Sequence, residues 1–445
     1  MDETAEQGGS RVADRRVPFE LHPLRDDIVG EVHARPFRAA EAPRVFHHMA
    51  FQSWTGPSAA GGTDAGSGDD FEQLVRFCKA HGAPPPAPGA RHHVVSLGGA
   101  ELSWERHTEF TTMTLSVAPP PDDPFAAPNI SSLAAFLPKP PGPLIVSTRV
   151  ALVPLADELP DLAAFDPSSL CVSRVDGGAI VATDFRPDRS GFTRILVASR
   201  SLSAARAGAL VQRLLEVETY RTLALLGLPE AQRIRPIVDS IETQLLSLTL
   251  RMRDGTGLDL SRELLDRLVS LAAEVEAESV GATYRFGATR AYWELVGQRL
   301  LSIHEERVQG FDSIEGFLAR RLKPALRTCE SVERRLSDLA AKLARTANLL
   351  RTRVDIELES QNRDLLDSMN RRARLQLRLQ RTVEGLSVAA VSYYVVGLIG
   401  YLLRGGETAL DLPFDPAVAT AVAVPFVVVV IWALVRRIRR GHADE

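Results

Sequence analysis

The chain of 445 residues is 45% hydrophobic and 24% charged, with a formal net charge of −4. These values fit a globular protein of two or three folded units, and they give no charge signal for nucleic-acid binding. Only three cysteines occur, without paired spacing, so we expect a reducing compartment and neither a disulfide framework nor a zinc site.

The first part of the chain has the composition of a mixed sheet domain. Its N-terminus, MDETAEQGGSRVADRR, contains no apolar stretch, so we expect no cleavable signal peptide and a cytosolic location. Runs rich in β-formers alternate with Pro and Gly clusters, and short helices fit 21–33 and 69–81. We therefore predict an α+β cytosolic domain over residues 1–200, an α/β unit with strands at Arg44–Gln52, His92–Leu97, Glu101–Val117, Leu144–Val153, Ala179–Phe185 and Phe192–Ser199.

The pattern changes after residue 200. Apolar residues recur three and four apart in 203–226, 230–253 and 259–308, which are rich in Leu, Ala, Glu and Arg. Breaks are expected at 227–229 and 254–257, where Gly, Pro and Asp gather. The sequence thus predicts a helical domain over residues 201–310.

A long stalk helix is predicted over residues 311–384. Neither Pro nor Gly occurs between Ala325 and Glu384. A seven-residue spacing of apolar side chains indicates helix-to-helix packing, either with the chain's own helices or with other subunits. The residues with this spacing are Leu322, Cys329, Leu336, Leu343 and Leu350, with Val332 and Leu339 between them.

A two-helix transmembrane hairpin is predicted over residues 385–436. The uncharged runs 386–403 and 417–435 each have about the length that crosses a bilayer core. Arginines flank the runs outside the hairpin, whereas the loop between them is acidic, so both termini are predicted to be cytoplasmic. The predicted product is a multi-pass protein of the inner (cytoplasmic) membrane with a basic cytosolic tail over 437–445. The arginines predicted to contact lipid headgroups are Arg371, Arg372, Arg374, Arg378, Arg381, Arg436, Arg437, Arg439 and Arg440.

The first predicted span carries a polar face formed by Ser387, Tyr394, Gly397 and Tyr401. A phenol near the middle of a bilayer needs a hydrogen-bond partner, because lipid offers none. Three interpretations remain open: packing within the hairpin, an interface between subunits, or the lining of a pore. The tyrosines and the heptads together lead us to predict a homo-oligomer.

No motif for a nucleophile, a phosphate loop or a metalloprotease is present, so we predict a protein that is not an enzyme and has neither a cofactor nor a metal. The densest polar cluster comprises Glu105, Arg106, His107 and Glu109. In a continuous strand, Glu105, His107 and Glu109 share one face, opposite Trp104, Arg106 and Phe110. This cluster suits either acid–base or cation chemistry, or plain cross-strand ion pairing. Arg35 is a candidate anion site, or the end of a helix before a proline turn.

Four segments give the chain a family likeness. They are EVHARPF at 31–37, WERHTEFTT at 104–112, RFGATRAY at 285–292 and LQRTVEGLSVAAVSYYVVGLIGYL at 379–402. Together they resemble a bacterial family of predicted membrane-anchored proteins with a domain of unknown function. The resemblance covers nearly the whole chain and implies membrane anchoring, but it brings no activity, cofactor or catalytic residue with it.

The order of the parts is also similar to that of CorA-type magnesium channels, which are pentamers. Their Gly-Met-Asn signature is replaced here by Gly400-Tyr-Leu-Leu-Arg404. We therefore expect a membrane-anchored, oligomeric assembly whose cytosolic domain binds a ligand or a protein partner. The alternative expectation is a CorA-like ion channel or transporter that lacks the signature.

Overall fold

A computed structural model describes residues 22, 25, 37–53, 69–121, 123–126, 130–410 and 415–441. The chain divides into two compact units, one of residues 1–250 with 267–346 and one of residues 251–266 with 347–445. The first unit contains a mixed sheet and helices, and the second contains helices that end in an apolar two-helix hairpin. The predicted order of a sheet domain, long helices and a C-terminal apolar hairpin is therefore confirmed.

The described part of the first unit forms one nine-stranded sheet in the order β2-β3-β4-β1-β5-β8-β7-β6-β9. Neighbouring strands are antiparallel except β5 and β8, which run parallel. The strands are β1 Arg44–Gln52, β2 His92–Leu97, β3 Ala100–Arg106, β4 Phe110–Val117, β5 Leu144–Pro154, β6 Cys171–Val175, β7 Ala179–Pro187, β8 Thr193–Ser199 and β9 Glu306–Arg307.

Successive side chains along each strand point to opposite faces of the sheet, so each strand contributes residues to both faces. In β1, Ala50 joins the core on one face, whereas Val45 and Met49 join cores on the other. The adjacent histidines follow the same rule, so His48 and His47 point to opposite faces. Each face therefore carries hydrophobic core residues together with its own buried histidine.

The helices of the described residues are α1 Asp69–Ala80, α2 Ile130–Ala135, α3 Ala204–Leu225, α4 Gly227–Asp254, α5 Leu258–Ser302, α6 Ile314–Leu410 and α7 Pro416–Gly441. Helix α3 begins where the Ser203 hydroxyl accepts a hydrogen bond from the Arg206 N–H, at 3.4 Å. Apolar residues of α3, α5 and the start of α6 fill the core on one face of the sheet. Residues of α1 fill a core on the opposite face.

The strand assignments differ from the sequence prediction at three places. The run Glu101–Val117 is a hairpin of β3 and β4, closed by a hydrogen bond from the His107 N–H to the Phe110 carbonyl oxygen, at 2.9 Å. Strand β6 was not predicted, because five residues show little alternation. Strand β9 lies where helix 259–308 was predicted, and its two residues pair only with the distant β6.

Helix α6 is longer than the predicted stalk. It begins ahead of Pro324 and continues through the first apolar run, for 97 residues in all. A proline in a helix removes one backbone hydrogen bond. The first turns nevertheless stay helical because Leu318 and Leu322 are buried in the core of the first unit. Pro324 therefore lies within the helix and does not end it.

The heptad of α6 packs within a single chain. Leu336, Leu343 and Leu350 are each at most 3% exposed, and Val332 and Leu339 are buried as well. In the second unit, the Arg353 guanidinium also donates to the carbonyl oxygens of Met252, near the end of α4, and of Gly255. The spacing alone allowed packing on the chain's own helices or on other subunits, and these residues are buried within the chain itself.

We predict opposite outcomes for two helical glycines of the first unit. A Cβ atom at Gly208 of α3 would lie 1.7 Å from the Arg38 carbonyl oxygen, so Gly208→Ala should push the segment at 37–40 off the helix. Such overpacking costs roughly 1–3 kcal/mol. At Gly297 of α5 a Cβ meets nothing within 4 Å, and Gly297→Ala should stabilise by up to about 1 kcal/mol.

Thermal unfolding of the detergent-solubilised protein measures both effects. The midpoint should fall for Gly208→Ala and stay level or rise for Gly297→Ala. Equal midpoints for the two variants would contradict the close approach at Gly208.

Candidate functional site

A polar groove lies between α3 and the strands β1, β3 and β4 of the first unit. Its cavity volume is about 320 Å³, and its walls combine Phe46 and Leu215 with Arg44, Ser103 and Gln212. The groove exists because the side chains of these strands alternate, which places several polar residues on the helix-facing side. A cavity of this size and mixed lining is suited to a small molecule with both polar and apolar parts.

Ion pairs and hydrogen bonds hold the rim of the groove in place. The Arg38 guanidinium contacts the Glu101 carboxylate at 2.7 Å, between Nη2 and Oε2. Arg44 Nε donates to the Ser116 hydroxyl at 2.6 Å, on the neighbouring strand. Both arginines therefore keep their guanidinium groups at the mouth of the groove.

A second, smaller cavity of about 40 Å³ adjoins the groove and shares Glu105, Thr114, Gln212 and Leu215 with it. His48 lines this cavity, with Nε2 2.9 Å from the Thr219 hydroxyl. Because that hydroxyl donates to the Leu215 carbonyl oxygen at 2.8 Å, we assign the ring hydrogen to Nε2. Nδ1, 2.8 Å from the Thr114 hydroxyl, then accepts from it.

Burial sets the protonation of both adjacent histidines. Desolvation lowers the pKa of His48 to about 4. On the opposite face, desolvation and then the positive charge of Arg149 lower the pKa of His47 to about 4. Arg149 is fully buried and donates to the Phe125 carbonyl oxygen at 2.7 Å. The sequence analysis missed this buried arginine, because its partners lie on distant loops.

The predicted polar cluster does not share one strand. Glu105 ends up beside His107, with Oε2 and Nε2 3.8 Å apart, and the His107 ring stacks on Phe110 at 4.2 Å between centroids. Phe110 was expected on the face of Trp104 and Arg106. The turn between β3 and β4 changes the alternation and places it on the α3 side, in a different core from Trp104.

Glu109 is buried at the turn, next in sequence to Phe110, which lines the small cavity. Its carboxylate oxygens lie 3.1 and 3.0 Å from Arg285 Nη2, and Oε2 accepts from the Tyr292 hydroxyl at 2.7 Å. Burial, and next the bond to Glu109, raise the pKa of Tyr292. Sequence reasoning did not pair these residues, although Arg285 and Tyr292 are the ends of the segment RFGATRAY.

The remaining residues of the predicted cluster lie elsewhere. Arg106 Nη1 contacts the buried Asp70 carboxylate at 3.4 Å, on the α1 side of the sheet. Arg35 lies outside the described residues. Among the side chains that the structure describes, no group of three or more His, Cys, Asp or Glu is placed to hold a metal ion.

Two helices of the described chain, α6 and α7, are long and apolar enough to cross a membrane, judged by length and composition. Their apolar stretches are almost wholly exposed. Tyr394 is 72% exposed and Tyr401 76% exposed, and Ser387 and Gly397 are exposed with them. The side of α6 that meets α7 is a different one, because a Cβ on Gly400 would lie 3.5 Å from the Thr420 side chain.

The predicted headgroup arginines lie at both ends of the apolar pair. The five that precede the first apolar run are exposed: Arg371, Arg372, Arg374, Arg378 and Arg381. After the second run Arg436 and Arg437 are exposed, and the Arg436 guanidinium lies 4.9 Å above the centre of the Trp432 ring. The side chains of Arg439 and Arg440 lie outside those that the structure describes.

We predict that the Glu109 pair stabilises the first unit. Glu109→Gln removes the negative charge beside Arg285, whose side chain is only 20% exposed. Breaking a buried pair costs about 3 kcal/mol, whereas a pair near the surface contributes about 1 kcal/mol or less. Glu101→Gln, opposite the half-exposed Arg38, is the matched control. A thermal midpoint that falls as much for Glu101→Gln as for Glu109→Gln would contradict the assignment.

We predict a stability loss at acid pH that depends on His48. The pKa of His48 is about 4 in the folded protein and 6.5 in the unfolded chain, which therefore binds the extra proton between these values. Above pH 6.5 His48 is neutral in both states and does not change the free energy of unfolding with pH. Between pH 6.5 and 4 that free energy decreases by about 1 kcal/mol per pH unit as pH falls, because only the unfolded chain binds the proton. His48→Gln carries no such proton, so its unfolding midpoint should fall less than that of the wild type between pH 7 and pH 4.5. Parallel pH curves would contradict the prediction.

Comparisons with known proteins agree with the sequence resemblance. A family model described as "Protein of unknown function (DUF3422)" matches residues 20–442. No curated protein matches the chain. Neither result supports the likeness to CorA-type channels. Since the match covers nearly the whole chain, the protein belongs to the family described as "Protein of unknown function (DUF3422)".

Proposed function

We propose that the protein is an integral protein of the bacterial inner membrane with its sheet unit and both termini in the cytoplasm. The observation that carries this proposal is the pair of exposed apolar helices, α6 and α7. Exposed apolar surface of this extent is stable in lipid rather than in water. Arginines stand at both outer ends of the pair, whereas Glu407, Asp411 and Asp415 lie in or near the connection. Positive residues stay on the cytoplasmic side.

In this proposal the groove beside α3 binds a small ligand from the cytoplasm and does not transform it. Two of its charged side chains pair with each other, Arg38 with Glu101, and a third, Arg44, donates through Nε to the Ser116 hydroxyl. Groups fixed in this way orient a ligand, whereas general acid–base work needs a group free to move a proton. The anchored protein also assembles with further copies of itself in the bilayer.

Topology is tested with tags in intact cells. A reporter fused after Glu445 should report the cytoplasm, and a tag inserted after Ala409 should react with a reagent that does not cross the inner membrane. The physical reason is that nine flanking arginines favour the cytoplasmic side. A tag at Ala409 that reacts only after the cells are lysed would contradict the proposed hairpin.

Ligand binding is tested by filling the groove. Ser103 lines the groove, and Ser103→Trp places an indole ring inside it. Ser96, exposed on the neighbouring strand β2, gives the matched control Ser96→Trp. Native mass spectrometry of the protein purified from membranes should find a small bound mass on the wild type and on Ser96→Trp, and none on Ser103→Trp. Identical masses for the two variants would contradict binding in the groove.

A further inference from the structure

We infer that one uncharged face of α6, from Asn362 to Tyr401, is the surface on which two copies of this chain associate in parallel. The inference rests on the proposed membrane anchoring. It identifies the surface through which copies of the chain associate in the proposed assembly. The face, called the Asn362 row, has alternating spacings of four and three residues. It consists of Asn362, Leu366, Met369, Ala373, Gln376, Gln380, Val383, Ser387, Ala390, Tyr394, Gly397 and Tyr401.

The Asn362 row avoids charge in a strongly charged part of the helix. Nine charged residues lie between 362 and 384, and none of them belongs to the row. A helix surface that faces water at all angles has no reason to exclude charge from one stripe. The excluded residues are Arg363, Asp364, Asp367, Arg371, Arg372, Arg374, Arg378, Arg381 and Glu384.

Within the described chain the Asn362 row is uncovered. Every residue of the row is exposed. Ser392, in contrast, is 4% exposed and lies two residues beyond Ala390, which places it about 160° away around the helix. A Cβ on Gly397 meets nothing within 4 Å, so another helix can approach closely there.

The polar members of the row match copies of themselves. In two parallel helices, residues of the same number meet at the same level. The Asn and Gln amides and the Ser and Tyr hydroxyls each carry both a donor and an acceptor, so each can bond to its equivalent. Charged side chains at the same positions would repel their equivalents. The composition of the row therefore favours a second copy over a partner of opposite charge.

The row continues across the membrane surface, and this also favours a second copy of the chain as the partner that covers it. Its first half precedes the apolar run and its second half lies within it. Lipid can cover only the second half, and water can solvate only the first. A parallel copy of α6 presents the same succession of residues at each depth. Heptad spacing makes the contact continuous when the two helices wrap around each other with a left-handed supercoil.

Disulfide cross-linking in native membranes tests this interface with two matched pairs of variants. Gln380→Cys lies on the row, and Thr382→Cys is exposed two residues away on another face. Ala390→Cys lies on the row inside the apolar run, and Ala389→Cys is exposed on the far side. The three native cysteines are free and buried, so the wild type reports the background. After mild oxidation, Gln380→Cys and Ala390→Cys should migrate mostly as covalent dimers, and Thr382→Cys and Ala389→Cys as monomers.

The possible outcomes separate the inference from the proposed anchoring. Equal cross-linking in both members of a pair, no cross-linking in any variant, or cross-links only to other proteins would overturn the inference. Carbonate-washed membranes report anchoring independently, because they retain only integral proteins. Variants that remain in the washed membranes without the row-specific dimers would leave the anchoring intact and exclude this interface. Loss of the wild type from the washed membranes would exclude both.

Discussion

A helix that passes from one environment into another must change its surface while its backbone stays the same. In the proposed anchoring, helix α6 meets this constraint over 97 residues. Its backbone hydrogen bonds are satisfied within the helix in water and in lipid alike. The side chains differ by segment: leucines buried within the chain near 322–350, then charges with one uncharged row, then an apolar run. The heptad spacing near 322–350 thus packs within the chain. Further along the helix, in the proposed assembly, the same spacing forms the contact with a second copy.

The sheet unit depends on a different interaction, the contact of Glu109 with Arg285 and Tyr292. These residues are separated by 176 and 183 positions along the chain and join the β3–β4 turn to α5. The same turn carries His107, whose ring stacks on Phe110 beside the small cavity. A buried carboxylate that accepts from Arg285 and Tyr292 keeps this turn of the first unit rigid. The groove beside α3 is held at its rim by the Arg38–Glu101 ion pair, and the adjoining small cavity is lined by the hydrogen-bonded His48.

Periodicity in the sequence was sufficient to predict the main helices and strands and which residues of β1 share a face. It was insufficient where an element depends on distant partners. The hairpin turn at His107-Thr-Glu109 contains neither Gly nor Pro, so the β-rich run 101–117 was read as one strand. Strand β9 has two residues and is ordered only by pairing with β6. The partners of Glu109 and Arg149 could not be predicted, because contacts between distant segments leave no local pattern.

The central claim is that the α6–α7 hairpin lies in a bilayer and that α6 associates there with its own copy. Electron cryomicroscopy of the full-length protein in lipid nanodiscs tests this claim most directly. We expect a lipid belt around residues 386–403 and 417–435, with Tyr394 and Gly397 of one copy facing those of another. A single copy whose Tyr394 faces lipid, or a hairpin outside the belt, would contradict it.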